Sequence, residues 1–288
     1  MRPIVSNWMS SGRFERFVAR KTAAATAAAL PPYATERDAP RDGMLAIGND
    51  WTRELFGGSF YVSPPGSAVP SCSLVFVQSA DGNTGAALPS DLGGGRTDEI
   101  LIYEGLSRVA ADAVLSGAET VRGGGTVFSV WHPELVRLRE SLGFPRHPVQ
   151  MVATQQGVDI ERMLLFNVPE LRAILVTVPD TAARLRDALK SRPWVTPVVM
   201  ADRTDLPGAF EQLAELGIER VSCIGGRRLA AVLVDAGLVD DLYLTTSPRP
   251  GGEPDTALPP AALAGDVIVR KRGTREEAGV VFEQLARR

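Results

Sequence analysis

Residues Arg108 to Gly125 read R-V-A-A-D-A-V-L-S-G-A-E-T-V-R-G-G-G. This stretch predicts the end of a helix, a short buried strand around Val114 and Leu115, and a glycine-rich turn. Gly117 and the run Gly123, Gly124 and Gly125 mark places where the chain turns sharply or admits a close backbone approach. A strand ending in free backbone N–H groups, with Thr120 and Arg122 among them, suits a phosphate. The same glycines equally suit a plain loop.

Outward from this stretch, strands and helices alternate. Upstream, Ser73–Ser79 is a continuous apolar run, the mark of a strand covered on both faces. It stops at the turn signal Asp81-Gly82-Asn83, and a polar loop with Gly93, Gly94 and Gly95 follows. Asp98–Ala110 then predicts a helix, with Thr97 as its N-cap. Downstream, strands are expected at Val149–Thr154, Ala173–Val178, Pro197–Met200, Arg220–Ile224 and Val239–Thr246. Helices are expected at Thr181–Leu189, Leu206–Leu216 and Arg227–Asp235, the last two ended by Gly217 and Gly237. Val267–Arg272 and Gly279–Leu285 make an antiparallel end. The pattern is that of an α/β protein with a mixed, mostly parallel sheet between helix layers. Residues 1–70 differ: they carry Pro31-Pro32, Pro40 and Pro64-Pro65 around two helical pieces, Phe14–Leu30 and Asn49–Phe56. They are an N-terminal extension, joined through Ser63–Ser71 to a main domain over 71–288.

Composition narrows the function classes. The 288 residues are 44% apolar, enough for one sizeable core. A net charge of −3 gives no electrostatic case for nucleic acid or an anionic membrane. No apolar run approaches the length of a membrane span. Two isolated cysteines, Cys72 and Cys223, and two histidines, His132 and His147, build neither a zinc site nor a disulfide framework, so no metal is expected. A reducing, cytoplasmic setting fits. The short Thr-interrupted run Arg20–Leu30 reads as an amphipathic helix rather than a signal peptide.

A second phosphate candidate is V-S-C-I-G-G-R-R-L, Val221–Leu229. A strand runs into Gly225-Gly226 and directly into a helix, whose first N–H groups and positive dipole end face the turn. Arg227 and Arg228 add charge there. The alternative is a tight strand–helix connection only. Neither a Walker A loop nor a G-x-G-x-x-G fingerprint occurs. Two separate phosphate-friendly turns suit a long ligand such as a dinucleotide, lying across the carboxyl ends of the strands.

Four motifs in order carry a family resemblance. They are Q-S-A-D-G (Gln78–Gly82), L-S-R-V-A-A-D-A-V-L-S-G-A-E-T-V-R (Leu106–Arg122), C-I-G-G-R-R-L (Cys223–Leu229) and L-V-D-D-L-Y-L (Leu238–Leu244). Together they resemble the reductase domain of riboflavin biosynthesis, the C-terminal domain of bacterial RibD, over roughly residues 70–285. The resemblance implies a dihydrofolate-reductase-like three-layer α/β/α fold, NADPH-dependent reduction of a small-molecule substrate, and a homodimer. By position, Val77 would offer its backbone to the nicotinamide amide. Thr120 and the following glycines, Gly124 included, would hold the phosphate region. Thr154 would lie near the adenosine 2′-phosphate, with Arg122 as helper. Gly225, Gly226 and the helix start Arg227–Leu229 would take the pyrophosphate. Arg108 would grip the substrate and Asp81 would orient it.

The chain also departs from the family pattern. Ile224 stands where an acid usually precedes the glycine pair, and Gly124 where an Asp follows the Thr-Val turn. Trp131 stands where an Arg would help hold a ribose phosphate, and Gly94 replaces a common tryptophan. The cofactor side therefore follows the resemblance more closely than the substrate side. Zinc-deaminase motifs are absent from the sequence. The expected activity is reduction of a ribosylamino-pyrimidine phosphate at a C=N bond. The alternatives are a reductase of another heterocycle such as dihydrofolate, and a nucleotide-binding protein without chemistry.

Overall fold

The computed structural model describes residues 11–27, 30, 32–86, 89–273 and 277–287. Its large sheet is built from β4 (Ser71–Gln78), β5 (Ala113–Gly117), β6 (Val149–Ala153), β7 (Ala173–Thr177), β8 (Val195–Val199), β9 (Arg220–Cys223), β10 (Asp241–Thr246), β11 (Asp266–Arg272) and β12 (Val281–Ala286). The strand order is β11-β12-β10-β4-β9-β5-β6-β7-β8. Only β12 runs against the common direction of the other eight strands, so the sheet is mixed and mostly parallel.

The strand residues alternate between two apolar layers, as the two-residue period of a strand demands. Val75, Val114, Val152 and Leu175 face one layer, with Leu135 and Leu138 of α5 (Pro133–Ser141) and Leu185 of α6 (Pro179–Lys190). Leu74, Leu115, Met151 and Ile174 face the other, with Phe210 and Leu213 of α7 (Leu206–Glu215) and Leu233 of α8 (Arg227–Asp235). This is the three-layer α/β/α arrangement. Two predicted bounds shift in an informative way. The helix expected over Asp98–Ala110 is a π-helical stretch, Thr97–Leu106, passing into the short α3 (Ser107–Val109). Thr97 is not its N-cap: it lies inside the first turn, and its N–H donates to Glu277 Oε1 at 2.8 Å. A remote carboxylate satisfies an N–H that a local side chain usually takes.

Residues 11–70 contribute more than helices. α1 (Ser11–Thr26) starts and ends earlier than the expected Phe14–Leu30, giving way to a turn at Ala27, and α2 (Asp50–Phe56) falls where the sequence places it. Asn49 and Thr52 form a reciprocal capping box at the start of α2, and Gly57 ends it in the left-handed region at φ 69°. Two strands before α2 and one after it make an unforeseen sheet of β1 (Ala34–Glu36), β2 (Leu45–Gly48) and β3 (Phe60–Val62), in sequence order. Ile47 and Phe60 of this sheet are buried in the same apolar layer as Val75. Phe60 stacks on Tyr243 of β10 with ring centroids 4.7 Å apart, and Tyr243 Oη donates to Tyr61 O at 2.8 Å. Burial of Phe60 contributes roughly 1.5–3 kcal/mol, so the small sheet helps to close the main core.

Candidate functional site

The parallel ladder opens at the carboxyl end of β4. Backbone groups of successive strand residues point to opposite neighbours. Ser71 N donates to Glu219 O on the β9 side at 2.9 Å, and Ser247 N donates to Gln78 O on the β10 side at 2.8 Å. The odd-numbered residues of β4 therefore turn their N–H and C=O toward β9. Yet β9 pairs with β4 only across Ser71–Leu74, while β10 follows β4 to Gln78. Past Cys223 the chain leans to β5 instead: Ile224 N donates to Leu115 O at 3.0 Å, and Gly117 N to Gly225 O at 3.1 Å. A cleft is left between Val77, whose backbone edge faces it, and the turn Ile224–Gly226.

That turn is shaped by its glycines. Gly225 and Gly226 have φ of 126° and 85°, a region that other residues adopt only with strain. Gly225 is buried, yet a Cβ there would meet no atom within 4 Å, so free space adjoins its backbone. Gly226 packs its Cβ position 3.5 Å from Gly117 Cα, setting the turns after β5 and β9 against each other. No side chain caps α8, which leaves its first N–H groups and the positive end of its dipole to the cleft. Arg227 is half-buried with its guanidinium 3.8 Å from the Glu253 carboxylate, Arg228 is exposed, and Leu229 packs on the core.

The turn after β5 behaves differently. Thr120 is exposed on the short α4 (Ala118–Val121), and exposed Arg122 pairs with Glu119 one turn back. Gly124 does not serve the expected cradle. Its N–H donates to Val121 O at 2.9 Å, its C=O accepts from Leu164 N at 2.7 Å, and a Cβ would lie 2.7 Å from Arg162 O. Its groups are spent on the chain itself. Thr154, just past β6, is buried, and its Oγ1 accepts from Gly157 N at 3.0 Å, closing its own loop.

The two expected substrate groups lie elsewhere. Arg108 does not face the cleft. It precedes β5, at the opposite end of the sheet from the glycine turns. Its side chain is 1% exposed, donates from Nη1 to Ser129 O at 3.0 Å, and lies over the Phe128 ring. Asp81 is exposed, and its Oδ2 accepts from Gly251 N at 2.8 Å, tying two loops together. Trp131 is 1% exposed. It is covered by Phe17 of α1 in an edge contact at 5.8 Å, with Lys21 and Arg146 over its ring. His147 closes the same cluster, its Nδ1 at 2.8 Å from Ser129 Oγ. Burial and the cations Arg146 and Arg139 push its pKa down to about 4, so the ring is neutral at pH 7.

Sequence reasoning passed over one group. Asp98, in the first turn of the π-helical stretch, is 7% exposed. Burial raises its pKa to about 7, with the Thr245 hydroxyl drawing it partly back and the carboxylates of Glu277 and Glu99 adding to the rise. Its one sequence signal is an acid at a helix start, which reads as dipole compensation.

This three-layer α/β/α chain sets backbone donors around a cleft at the carboxyl ends of its parallel strands, the place where open α/β sheets take their ligands. The chain belongs to the RibD C-terminal domain family, whose model matches residues 70–265. Among solved structures it is similar to a pyrimidine reductase-like protein of Corynebacterium diphtheriae. The TM-score is 0.56 and the identity 20%, over 75% of this chain and 91% of that one. It is also similar to RibD of Acinetobacter baumannii (TM-score 0.56, 17% identity, 76% and 58% of the two chains). A third is the diaminohydroxyphosphoribosylaminopyrimidine deaminase/5-amino-6-(5-phosphoribosylamino)uracil reductase of Thermotoga maritima (0.56, 16%, 76% and 57%). The match thus spans a little over half the length of these last two proteins. No curated protein sequence matches the chain.

Proposed function

We propose that this protein is an NADPH-dependent reductase of a pyrimidine-type substrate, of the 5-amino-6-(5-phosphoribosylamino)uracil reductase kind in riboflavin biosynthesis. The observation that carries the reading is the unpaired β4 edge at Val77 set against the glycine turn Ile224–Gly226. A dinucleotide fits this cleft because its pyrophosphate needs backbone N–H groups with no side chain in the way, which Gly225, Gly226 and the uncapped start of α8 supply. The Val77 N–H and C=O form an amide-shaped pair for a carboxamide. Arg227 and Arg228 stand at the same helix start, and Arg122 and Thr154 would attend the adenosine end. When bound, the reduced nicotinamide supplies the hydride. The chain's own residues bind it, orient it and exclude water.

A second reading, reduction of a heterocycle without a ribose phosphate, is favoured by Trp131. The family resemblance places a phosphate-holding Arg there, and this chain has a core aromatic sealed under α1. Under both readings the protein works in the cytoplasm as a homodimer. Among the described residues no helix is long and apolar enough to cross a membrane, and Cys72 and Cys223 are free, buried thiols. The test is NADPH oxidation followed with the ribosylamino-pyrimidine phosphate, its dephosphorylated form and dihydrofolate. Steady turnover of the first supports the riboflavin reading, and turnover only of another heterocycle supports the second. Tight NADPH binding with no turnover across the panel would remove both.

A further inference from the structure

Ser63 and Ser71, the two ends of the connection into the main domain, line a polar cavity at the amino ends of β4, β9 and β10. This is the opposite end of the sheet from the dinucleotide cleft. The cavity measures about 290 Å³ counting its open mouth. Small side chains make the room, Ser73 of β4 on the sheet and Ala110 and Ala111 where α3 ends. Two charged residues, Asp241 and Arg220, share the space. Ser63 holds one atom of each: its Oγ donates to Asp241 Oδ2, and its C=O accepts from Arg220 Nε at 3.1 Å. Asp241 is 1% exposed, yet its Oδ1 has no hydrogen-bond partner among the described residues. Arg220 is half-buried, and among the described residues no group accepts from its terminal nitrogens. Burial raises the Asp241 pKa to about 6, with the Ser63 hydroxyl drawing it partly back and Asp240 adding to the rise. The carboxyl is therefore mostly ionised at pH 7. Arg41 acts on it only from a distance, held by Asp266 and the Arg287 carbonyl. A buried carboxylate with a bare oxygen is costly until a donor meets it.

We propose that this cavity binds a small α-amino acid, with its ammonium on Asp241 Oδ1 and its carboxylate on the terminal nitrogens of Arg220. The two holders do not pair with each other, and a single residue, Ser63, stands between them. An ammonium and a carboxylate on one carbon span such a gap. A guanidinium suits the carboxylate because its N–H groups form a planar fork. Charge selects the zwitterion: a carboxylate alone meets repulsion from Asp241, and an amine alone meets repulsion from Arg220. A cavity of this size, part of it mouth, suits glycine, alanine or serine. The site takes no part in hydride transfer and does not rest on the reductase reading.

Titration calorimetry of the full chain with glycine, alanine and serine tests the site. One saturable event is expected, with a Kd on the order of 1 mM for a ligand of so few heavy atoms. Acetate and methylammonium each carry half of the recognition and should bind at least about tenfold more weakly. Asp241→Asn and Arg220→Gln should each weaken glycine by about tenfold or more. Saturating NADPH should leave glycine affinity unchanged. Absence of saturable binding by all three amino acids overturns the proposal. So does methylammonium binding as tightly as glycine, which makes the cavity a plain cation site, or acetate doing so, which makes it an anion site. Displacement of glycine by NADPH overturns it too, because the amino acid would then lie in the cleft. Wild-type affinity in a folded Asp241→Asn or Arg220→Gln variant removes the assigned holders. The wild-type panel decides even where a variant fails to fold. NADPH oxidation enters none of these outcomes, so the reductase reading is tested separately.

Discussion

The turn after β9 is open, and the turn after β5 is filled. At buried Gly225 a Cβ would meet nothing within 4 Å, whereas at Gly124 it would meet the Arg162 carbonyl at 2.7 Å. Both glycines have positive φ, 126° and 79°. One conformation thus serves two ends. After β9 it bares backbone toward a cleft, and after β5 it lets the chain fold back on Leu164 so that the segment to Trp131 can be sealed under α1. A glycine-rich turn is a ligand site only where the space beside it is left free.

Three substitutions probe the contrast. The largest binding effect is expected at Gly225→Val, whose side chain would enter the free space beside that backbone. Crowding of this kind costs about 2–3 kcal/mol, on the order of a 100-fold loss of NADPH affinity in a folded protein. An unchanged affinity by titration calorimetry would reduce the open turn to a connection. Gly124→Ala should act on stability instead. A Cβ placed at φ 79° and pressed on a carbonyl costs about 1–3 kcal/mol, seen as a lower denaturation midpoint, with NADPH affinity preserved. Loss of affinity without loss of stability would return Gly124 to the cofactor. The smallest effect belongs to Arg122→Ala. Arg122 is exposed and engaged with Glu119, so its removal should weaken NADPH by about two- to fivefold and leave NADH unaffected. Equal losses for both would take Arg122 away from the 2′-phosphate.

The same contrast marks what a reader of the sequence can see. The continuous apolar runs announce β4 to β10 because a strand buried on both faces has no other composition, and Gly225-Gly226 is visible because backbone exposure is written in glycine itself. The strands β1–β3 are three or four residues long in a proline-rich segment, and such pieces form only when they can dock on Tyr243 and Val75. Helix α5 went unannounced although Pro133 at its first turn and the cap from His132, whose Nδ1 accepts from Glu134 N at 3.2 Å, are local signals. The apolar run before it hides the boundary. Side chains are harder to place than turns. Arg108 sits in a family motif, but its destination is set by the loop that offers the Ser129 carbonyl. Asp98 looks like an ordinary helix-start acid until Gly94 and β10 bury it.

The central claim is that the cleft between Val77 and Ile224–Gly226 holds the dinucleotide, and amide chemical shifts during an NADPH titration test it most directly. The account predicts saturable shifts at the N–H groups of Val77, Gly225, Gly226 and Arg227, with Gly124 unmoved. Shifts confined to Gly123–Gly125, or none at Val77 and Gly226 at saturating NADPH, would contradict it.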